Sequence, residues 1–277
     1  MNPCKAELKN RGEKYLAKIV PLFSGSKGNS YCIECSGEGI LIDAGRSCKQ
    51  IVAALEDNEI DVKRIHSVFI THEHSDHCSG LDVLARKLGL TVYGSAGTIR
   101  ALRNSGKITG RVKTQVIETG ETAGGFFVER TNTPHDAAES CCYTVTAPDG
   151  RVCTVATDMG YMTDDVRKKL EKSDFCVVES NHDINMLRCG PYPYVLKRRI
   201  LSDVGHLSNI SCAQEIANLA QRGTVRFLLA HLSRENNTPE LAYQTAMCEF
   251  LQMGMKPDKD FTLDVAPEVT MGKKFIY

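Results

Sequence analysis

The sequence predicts a layered α/β domain, and three observations carry that prediction. Short apolar runs bounded by turn residues recur through the first part of the chain, strand and helix patterns alternate through the last third, and no internal repeat or low-complexity linker divides them. With 277 residues the chain can bury one full core, so a single domain over 1–277 is expected.

Taken in order, Ala17 to Phe23, Ser30 to Cys35 and Gly39 to Asp43 read as strands separated by the turn-rich Ser24-Gly-Ser-Lys-Gly-Asn29 and by Ser36-Gly-Glu. Their close spacing predicts an antiparallel sheet edge. Ser47 with Gln50 fits a capping box, and Ile51, Val52 and Leu55 mark the apolar face of a helix running to about Glu56. Ile65 to Ile70 is a buried strand. It runs into Thr71-His-Glu-His-Ser-Asp-His77, after which Leu81, Leu84 and Leu88 recur at helical spacing until Gly89. Thr91 to Tyr93 predicts a strand and Ala96 to Asn104 a helix, followed by strands at Phe126 to Arg130, Cys141 to Thr146 and Val152 to Ala156. The last third predicts helix Thr163 to Glu171, strand Phe175 to Glu179, helix Asn209 to Gln221 and strand Val225 to Ala230. A final helix spans Pro239 to Leu251 behind the cap Thr238.

Composition excludes several classes. Lys plus Arg and Asp plus Glu are both 34, so no global field draws the protein to nucleic acid or to an anionic membrane, and any such contact must be local. The N-terminal run from Met1 to Lys18 alternates charged and polar residues and lacks an apolar stretch of signal-peptide length, and no later stretch is long enough to span a bilayer; a cytoplasmic location is expected. The 12 cysteines are scattered through a mid-sized chain, and Cys32 and Cys35, the only C-x-x-C, lie inside a strand-like run with no second pair to complete a zinc site. They read as buried thiols rather than disulfides or ligands. Trp is absent and aromatics are 6%, so base stacking is not an obvious theme.

Chemistry concentrates at the strand-to-helix turn. His72 and His74, two apart, place both imidazoles on one side of an extended segment, and Asp76 and His77 follow where the chain turns into a helix. Four of the eight histidines lie between Ile65 and Cys78, the fourth being His66, which sits within the strand and reads as structural. Further ligand types recur at the ends of apolar strands: Asp43, His135, Asp158 and His231. A strand end facing a cleft is where a scaffold presents such groups, and together with the cluster they supply the ligand count that two metals need.

In this order, a strand-end Asp, H-x-H-x-D-H, a later His, an Asp and a final His, the chain resembles the metallo-β-lactamase superfamily from about Ile19 to His231. The resemblance implies a four-layer αββα sandwich of two mixed sheets with helices on the outer faces. It implies that His72, His74 and His135 hold one metal, that Asp76, His77 and His231 hold the other, that Asp158 bridges them, and that Asp43 orients a ligand histidine. Within the superfamily, several runs are similar to the YycJ (WalJ, VicX) group: Ser24-Gly-Ser-Lys-Gly-Asn-Ser30, Leu41-Ile-Asp-Ala-Gly45, Glu179-Ser-Asn-His-Asp183, Gly205-His-Leu-Ser-Asn209 and His231-Leu-Ser-Arg-Glu-Asn236. That group implies a metal-dependent phosphodiesterase, a 5′-to-3′ exonuclease on double-stranded DNA.

Two divalent ions, Zn2+ or Mn2+ or else Fe, would activate a hydroxide for attack on a phosphodiester, with Asp76 in the catalytic set. Leaving-group protonation needs an acid outside the metal shell. His206 is the candidate, with Glu179 orienting it as in the similar tRNA 3′-processing members. His182, Ser233, Arg234 and Asn236 are candidate substrate contacts, and Lys197-Arg198-Arg199 is either a backbone-contacting patch or a solvated helix face. Binding of DNA through such contacts is expected to weaken steeply with salt. The histidine motif alone does not separate phosphoryl from carbonyl substrates, so a thioester hydrolase, or a non-catalytic scaffold, competes with the nuclease reading.

Overall fold

The computed structural model describes residues 16–277; the N-terminal run inspected for a leader lies outside them, apart from its last residues. Strands β1 (Lys18–Phe23), β2 (Ser30–Cys35) and β3 (Glu38–Ile42) pair antiparallel in sequence order. Helix α1 (Cys48–Asp57) opens on the Ser47 and Gln50 capping box, and a single 3-10 turn at Val62–Arg64 leads into β4 (Ile65–Phe69). The chain then forms α2 (Ser75–Cys78), α3 (Leu81–Leu88), β5 (Thr91–Gly94), α4 (Ala96–Asn104) and β6 (Lys113–Val116). β3 to β6 are parallel neighbours.

The second sheet begins as an antiparallel meander of β7 (Gly120–Ala123), β8 (Phe126–Asn132), β9 (Cys141–Thr146) and β10 (Val152–Ala156). Next come α5 (Asp164–Leu170), β11 (Phe175–Glu179), α6 (Ile184–Cys189), α7 (Tyr194–Ile200), α8 (Asn209–Gln221) and β12 (Arg226–Ala230). Helix α9 (Pro239–Gln252), capped by Thr238, and β13 (Thr262–Val265) follow, and β10 to β13 run parallel. Finally β14 (Phe275–Ile276) crosses back to pair antiparallel with β1. Each sheet is thus mixed and seven-stranded.

Burial sorts into three apolar layers. Between the sheets, Ile19, Tyr31, Ile33 and Phe69 meet Phe126, Tyr143, Val177 and Leu228. The opposite face of the first sheet, with Leu41, Val68 and Val92, is covered by Ile51, Leu55, Leu81 and Leu102 of its helices. The outer face of the second sheet, with Ala156, Val178 and Leu229, is covered by Val166, Ile216, Ala246 and Phe250. A strand buried on both faces reads as an unbroken apolar run, which is why Val177-Val178 and Leu228-Leu229 show no alternation. Helix, sheet, sheet, helix is therefore the layer order.

Three expectations change. The first three strands are antiparallel but do not form the sheet's edge, because β14 covers β1; two residues are too short to register as a strand pattern. β6 and β7 are largely solvent-facing and polar, so hydrophobic periodicity does not reveal them. α6 and α7 also emerge, in a stretch interrupted by Pro191 and Pro193. The cysteines of the C-x-x-C are buried in separate apolar layers, Cys32 beneath the helices and Cys35 between the sheets, and burial pushes the Cys32 thiol well above its ordinary range. His66 lies exposed on β4, paired with Glu38. Among the described residues no helix is long and apolar enough to cross a membrane.

Candidate active site

Parallel pairing sends the C-terminal ends of neighbouring strands to the same side of a sheet, and there the fold assembles its polar residues. Asp43 follows β3, the His72 to His77 turn follows β4, Asp158 follows β10, and His231 follows β12. Asp43, Asp158 and His231 all take positive φ, at 62°, 60° and 56°. A left-handed conformation at a non-glycine residue costs on the order of 1–2 kcal/mol, and here it turns Asp158 and His231 out of their strands into the cleft and Asp43 onto His77.

The histidine turn is clamped by backbone. Asn29 N–H donates to the Asp76 carbonyl at 2.7 Å and Ala44 N–H to the His77 carbonyl at 2.8 Å. Gly45 must lack a side chain, because a Cβ there would lie 1.8 Å from the Asp76 oxygen. The Leu41-Ile-Asp-Ala-Gly45 and Ser24 to Ser30 runs thus build the floor on which His77 sits. Glu73, within the motif, turns away and accepts the Ala138 N–H.

Hydrogen bonds to one ring nitrogen fix which nitrogen of each imidazole faces the cleft. His77 Nδ1–H donates to Asp43 Oδ2 at 2.7 Å, and Asp43 is itself held by the Thr71 N–H and hydroxyl. His135 Nδ1–H donates to the Gly205 carbonyl at 3.0 Å, and a Cβ on Gly205 would come 2.2 Å from the Ile200 oxygen. His231 Nδ1–H donates to Glu179 Oε1 at 3.0 Å.

The remaining nitrogens converge on the carboxylates. His74 Nδ1 and His135 Nε2 face each other at 3.3 Å, with the His72 ring 4.6 and 5.0 Å from theirs. Asp76 Oδ2 lies 3.4 Å from both His77 Nε2 and His231 Nε2. Asp158 sits between these groups, with Oδ2 3.2 Å from His77 Nε2 and Oδ1 3.8 Å from His135 Nε2. The ligand atoms of His72, His74 and His135 fall within 4.8 Å of one another, and so do those of Asp76, His77 and His231.

Two buried atoms test whether this set fits cations. His72 Nε2 and Asp158 Oδ2 have no hydrogen-bond partner among the described residues, although each is deeply buried. An imidazole nitrogen and a carboxylate oxygen left without hydrogen bonds amid such a cluster fit a bound cation. The electrostatics agree. Burial alone would raise the Asp76 and Asp158 carboxyls, but the protonated rings of His77 and His231, whose Nε2 protons a cation would replace, hold both below the usual range, so both stay ionised.

One wall carries a second arrangement. Glu179 Oε1 accepts Nδ1–H of His206 at 2.7 Å as well as that of His231, while Oε2 accepts the backbone N–H of Met159 and Leu207. Burial opposes ionisation of Glu179, yet the paired imidazoles outweigh it and keep the carboxyl well below its ordinary range. His206 is thereby fixed beside the cluster, 5.0 Å from the His135 ring and 5.3 Å from the His231 ring.

The cleft is about 210 Å³ and is lined by Asp76, Asp158, His206 and His231 together with Ser26, Asn181 and Ser233. Of the candidate substrate contacts, Ser233 faces it, whereas Arg234 lines a neighbouring pocket beside Lys27. His182 and Asn236 are buried and do not line the cleft; the Asn236 carbonyl accepts the Asp183 N–H, and burial pulls the His182 ring down to about 4. Sequence reasoning overlooked Tyr192, Leu196 and Ile200, which complete the cleft with Arg199. The signal was present in Gly190-Pro-Tyr-Pro-Tyr194, immediately before the basic run.

The model of the Beta-lactamase superfamily domain matches residues 39–232 of this chain. The exodeoxyribonuclease WalJ of Streptococcus pneumoniae is 38% identical over 257 residues, covering 91% of this chain and 95% of the relative. The exodeoxyribonuclease YycJ of Bacillus anthracis is 39% identical over 226 residues, covering 80% and 84%. Among solved structures, the metallo-β-lactamase fold protein YhfI of Bacillus subtilis superposes with a TM-score of 0.67 at 18% identity, over 94% of this chain and 99% of its own.

Proposed function

The chain belongs to the metallo-β-lactamase superfamily and to its YycJ (WalJ) group, and on that premise we propose that it is a metal-dependent 5′-to-3′ exonuclease acting on double-stranded DNA in the cytoplasm. His72, His74 and His135 would hold one divalent ion and Asp76, His77 and His231 the other, with Asp158 within reach of both sets. The mixed imidazole and carboxylate set suits zinc, manganese or iron. Such ions, when bound, polarise a phosphodiester and make water acidic enough to attack at neutral pH.

What the chain's own residues do follows from the hydrogen bonds. Asp43 holds the His77 ring so that Nε2 points into the cleft, and Glu179 does the same for His231. With Nδ1–H donating to Glu179, Nε2 is the nitrogen left free, and from there the doubly protonated ring passes a proton to the departing sugar oxygen. This pair is the observation that carries the reading. An alkoxide is a poor leaving group that needs a proton, whereas a thiolate, whose thiol has a pKa of about 8.5, leaves without one. A positioned acid beside the metal ligands therefore favours a phosphodiester over a thioester.

Purified protein loaded with Zn2+ or Mn2+ is expected to hydrolyse bis(p-nitrophenyl) phosphate and to leave an acyl-thiocholine untouched. Hydrolysis of the thioester alone would reverse the assignment. Asp43→Ala is expected to weaken metal binding by about 10–100-fold, as loss of a ligand-orienting partner does, measured by competition against a chromogenic chelator.

A further inference from the structure

α7 has two working faces. Its Leu196, Arg199 and Ile200 line the cleft with Tyr192 just ahead of it, while Tyr194 and Val195 project outward, 74% and 79% exposed. Apolar side chains this exposed, adjacent to each other on a helix whose other face lines a polar cleft, mark a contact surface. The Arg198 guanidinium lies 5.9 Å from the centre of the Tyr194 ring, so a flat cation and a flat aromatic form one surface.

Charge identifies the occupant. From Ile184 to Ser202 the chain carries Arg188, Lys197, Arg198 and Arg199 and no carboxylate, within a protein that is neutral overall. Arg199 is held toward the cleft by its two bonds to Asp136, Nη2 lying 2.7 Å from Oδ1. Lys197 Nζ closes the arm onto the Arg188 carbonyl at 2.7 Å. A local cationic surface with an aromatic at its centre suits a polyanion that carries flat rings. The cleft volume of about 210 Å³ falls below the roughly 300 Å³ at which ligand pockets usually begin, so a phosphate and sugar enter while the bases stay at the rim.

We propose that Tyr194, backed by Arg198 and flanked by Val195, is a stacking platform for the terminal nucleobase of the DNA strand whose backbone enters the cleft. The inference rests on the nuclease reading and names a positioning residue for it. The platform holds the strand end against the arm, setting which phosphodiester reaches the metal ligands. Arg199 meets the backbone at the same time, from the opposite face of the helix.

The test uses full-length wild-type protein, Tyr194→Ala and Tyr194→Phe, with duplex DNA bearing 2-aminopurine either at a terminal nucleotide or internally, in chelator so that nothing is cut. Wild type and Tyr194→Phe are expected to quench the terminal probe and not the internal one. Tyr194→Ala is expected to lose that quenching and about tenfold in affinity for ends, within the range of one base–aromatic stack. The platform is refuted if Tyr194→Ala quenches like wild type, if both probe positions respond equally, or if Tyr194→Phe fails as badly as Tyr194→Ala. A parallel digest with metal restored separates the two claims: wild type that cuts DNA while Tyr194→Ala behaves identically removes only the platform, and wild type that cuts no DNA removes both.

Discussion

Asp158→Asn is expected to abolish stable occupancy of the paired metal sites and to reduce phosphodiester hydrolysis by at least about 10²–10³-fold, with the fold intact. The substitution keeps the size of the side chain but removes the charge that lies 3.2 Å from His77 Nε2 and 3.6 Å from His231 Nδ1. Removing one partner from a buried charge cluster typically costs about 3–5 kcal/mol, which is the stated loss in binding or rate. Metal content by elemental analysis, together with circular dichroism, checks it. A variant that kept two ions and full activity would show that Asp158 is only a neighbour of the site.

His206→Ala is expected to leave metal content unchanged and to lower the turnover of DNA by about 10²–10⁴-fold, the usual contribution of a positioned proton donor. The loss should be far smaller on bis(p-nitrophenyl) phosphate, whose p-nitrophenolate departs without protonation. That contrast separates an acid from a ligand, a distinction that matters because His206 also lies within reach of Asp158, Glu179 and His231 as a further cluster of donor atoms. If His206→Ala lost metal, or lost equally on both substrates, the ring would be a ligand or a scaffold residue instead. Glu179→Gln is expected to follow His206→Ala in direction, since Oε1 is the atom that aims the ring.

The sequence made the metal cluster legible because most of it is covalently local. His72, His74, Asp76 and His77 occupy one turn, and their chemistry does not depend on knowing how distant strands meet. Asp43, His135, Asp158 and His231 were legible as strand ends; the structure sets Asp158 and His231 in the cleft wall, Asp43 behind His77, and His135 beside Asp158 and His74. The positive φ of Asp43, Asp158 and His231 was not visible, since nothing in the residue pattern marks a left-handed Asp or His. The cleft's outer wall was missed for a different reason. Between Ile184 and Ile200 helical spacing shows only in short stretches, Ile184 with Leu187 and Leu196 with Ile200, two prolines interrupt the run, and each of the helices spans fewer than eight residues. A low aromatic content then argued against base stacking, yet one exposed Tyr194, on the helix whose other face walls the cleft, is enough to raise the question again.

The same limit applies to His182 and Asn236. Both lie in motif-like runs, and sequence offers no means of telling a buried support from a side chain that meets substrate. Both are buried, as is Ser233, and what sets Ser233 apart is its place in the cleft wall.

The most direct measurement is a digest of end-labelled duplex DNA by the full-length protein, with metal removed by chelation and then restored in increments while bound ion is quantified. The account predicts no cleavage without metal, release of mononucleotides or short products from a strand end once metal is bound, and full activity at two ions per chain. Cleavage that persists in chelator, or a protein that takes up two ions and leaves DNA intact, would contradict it.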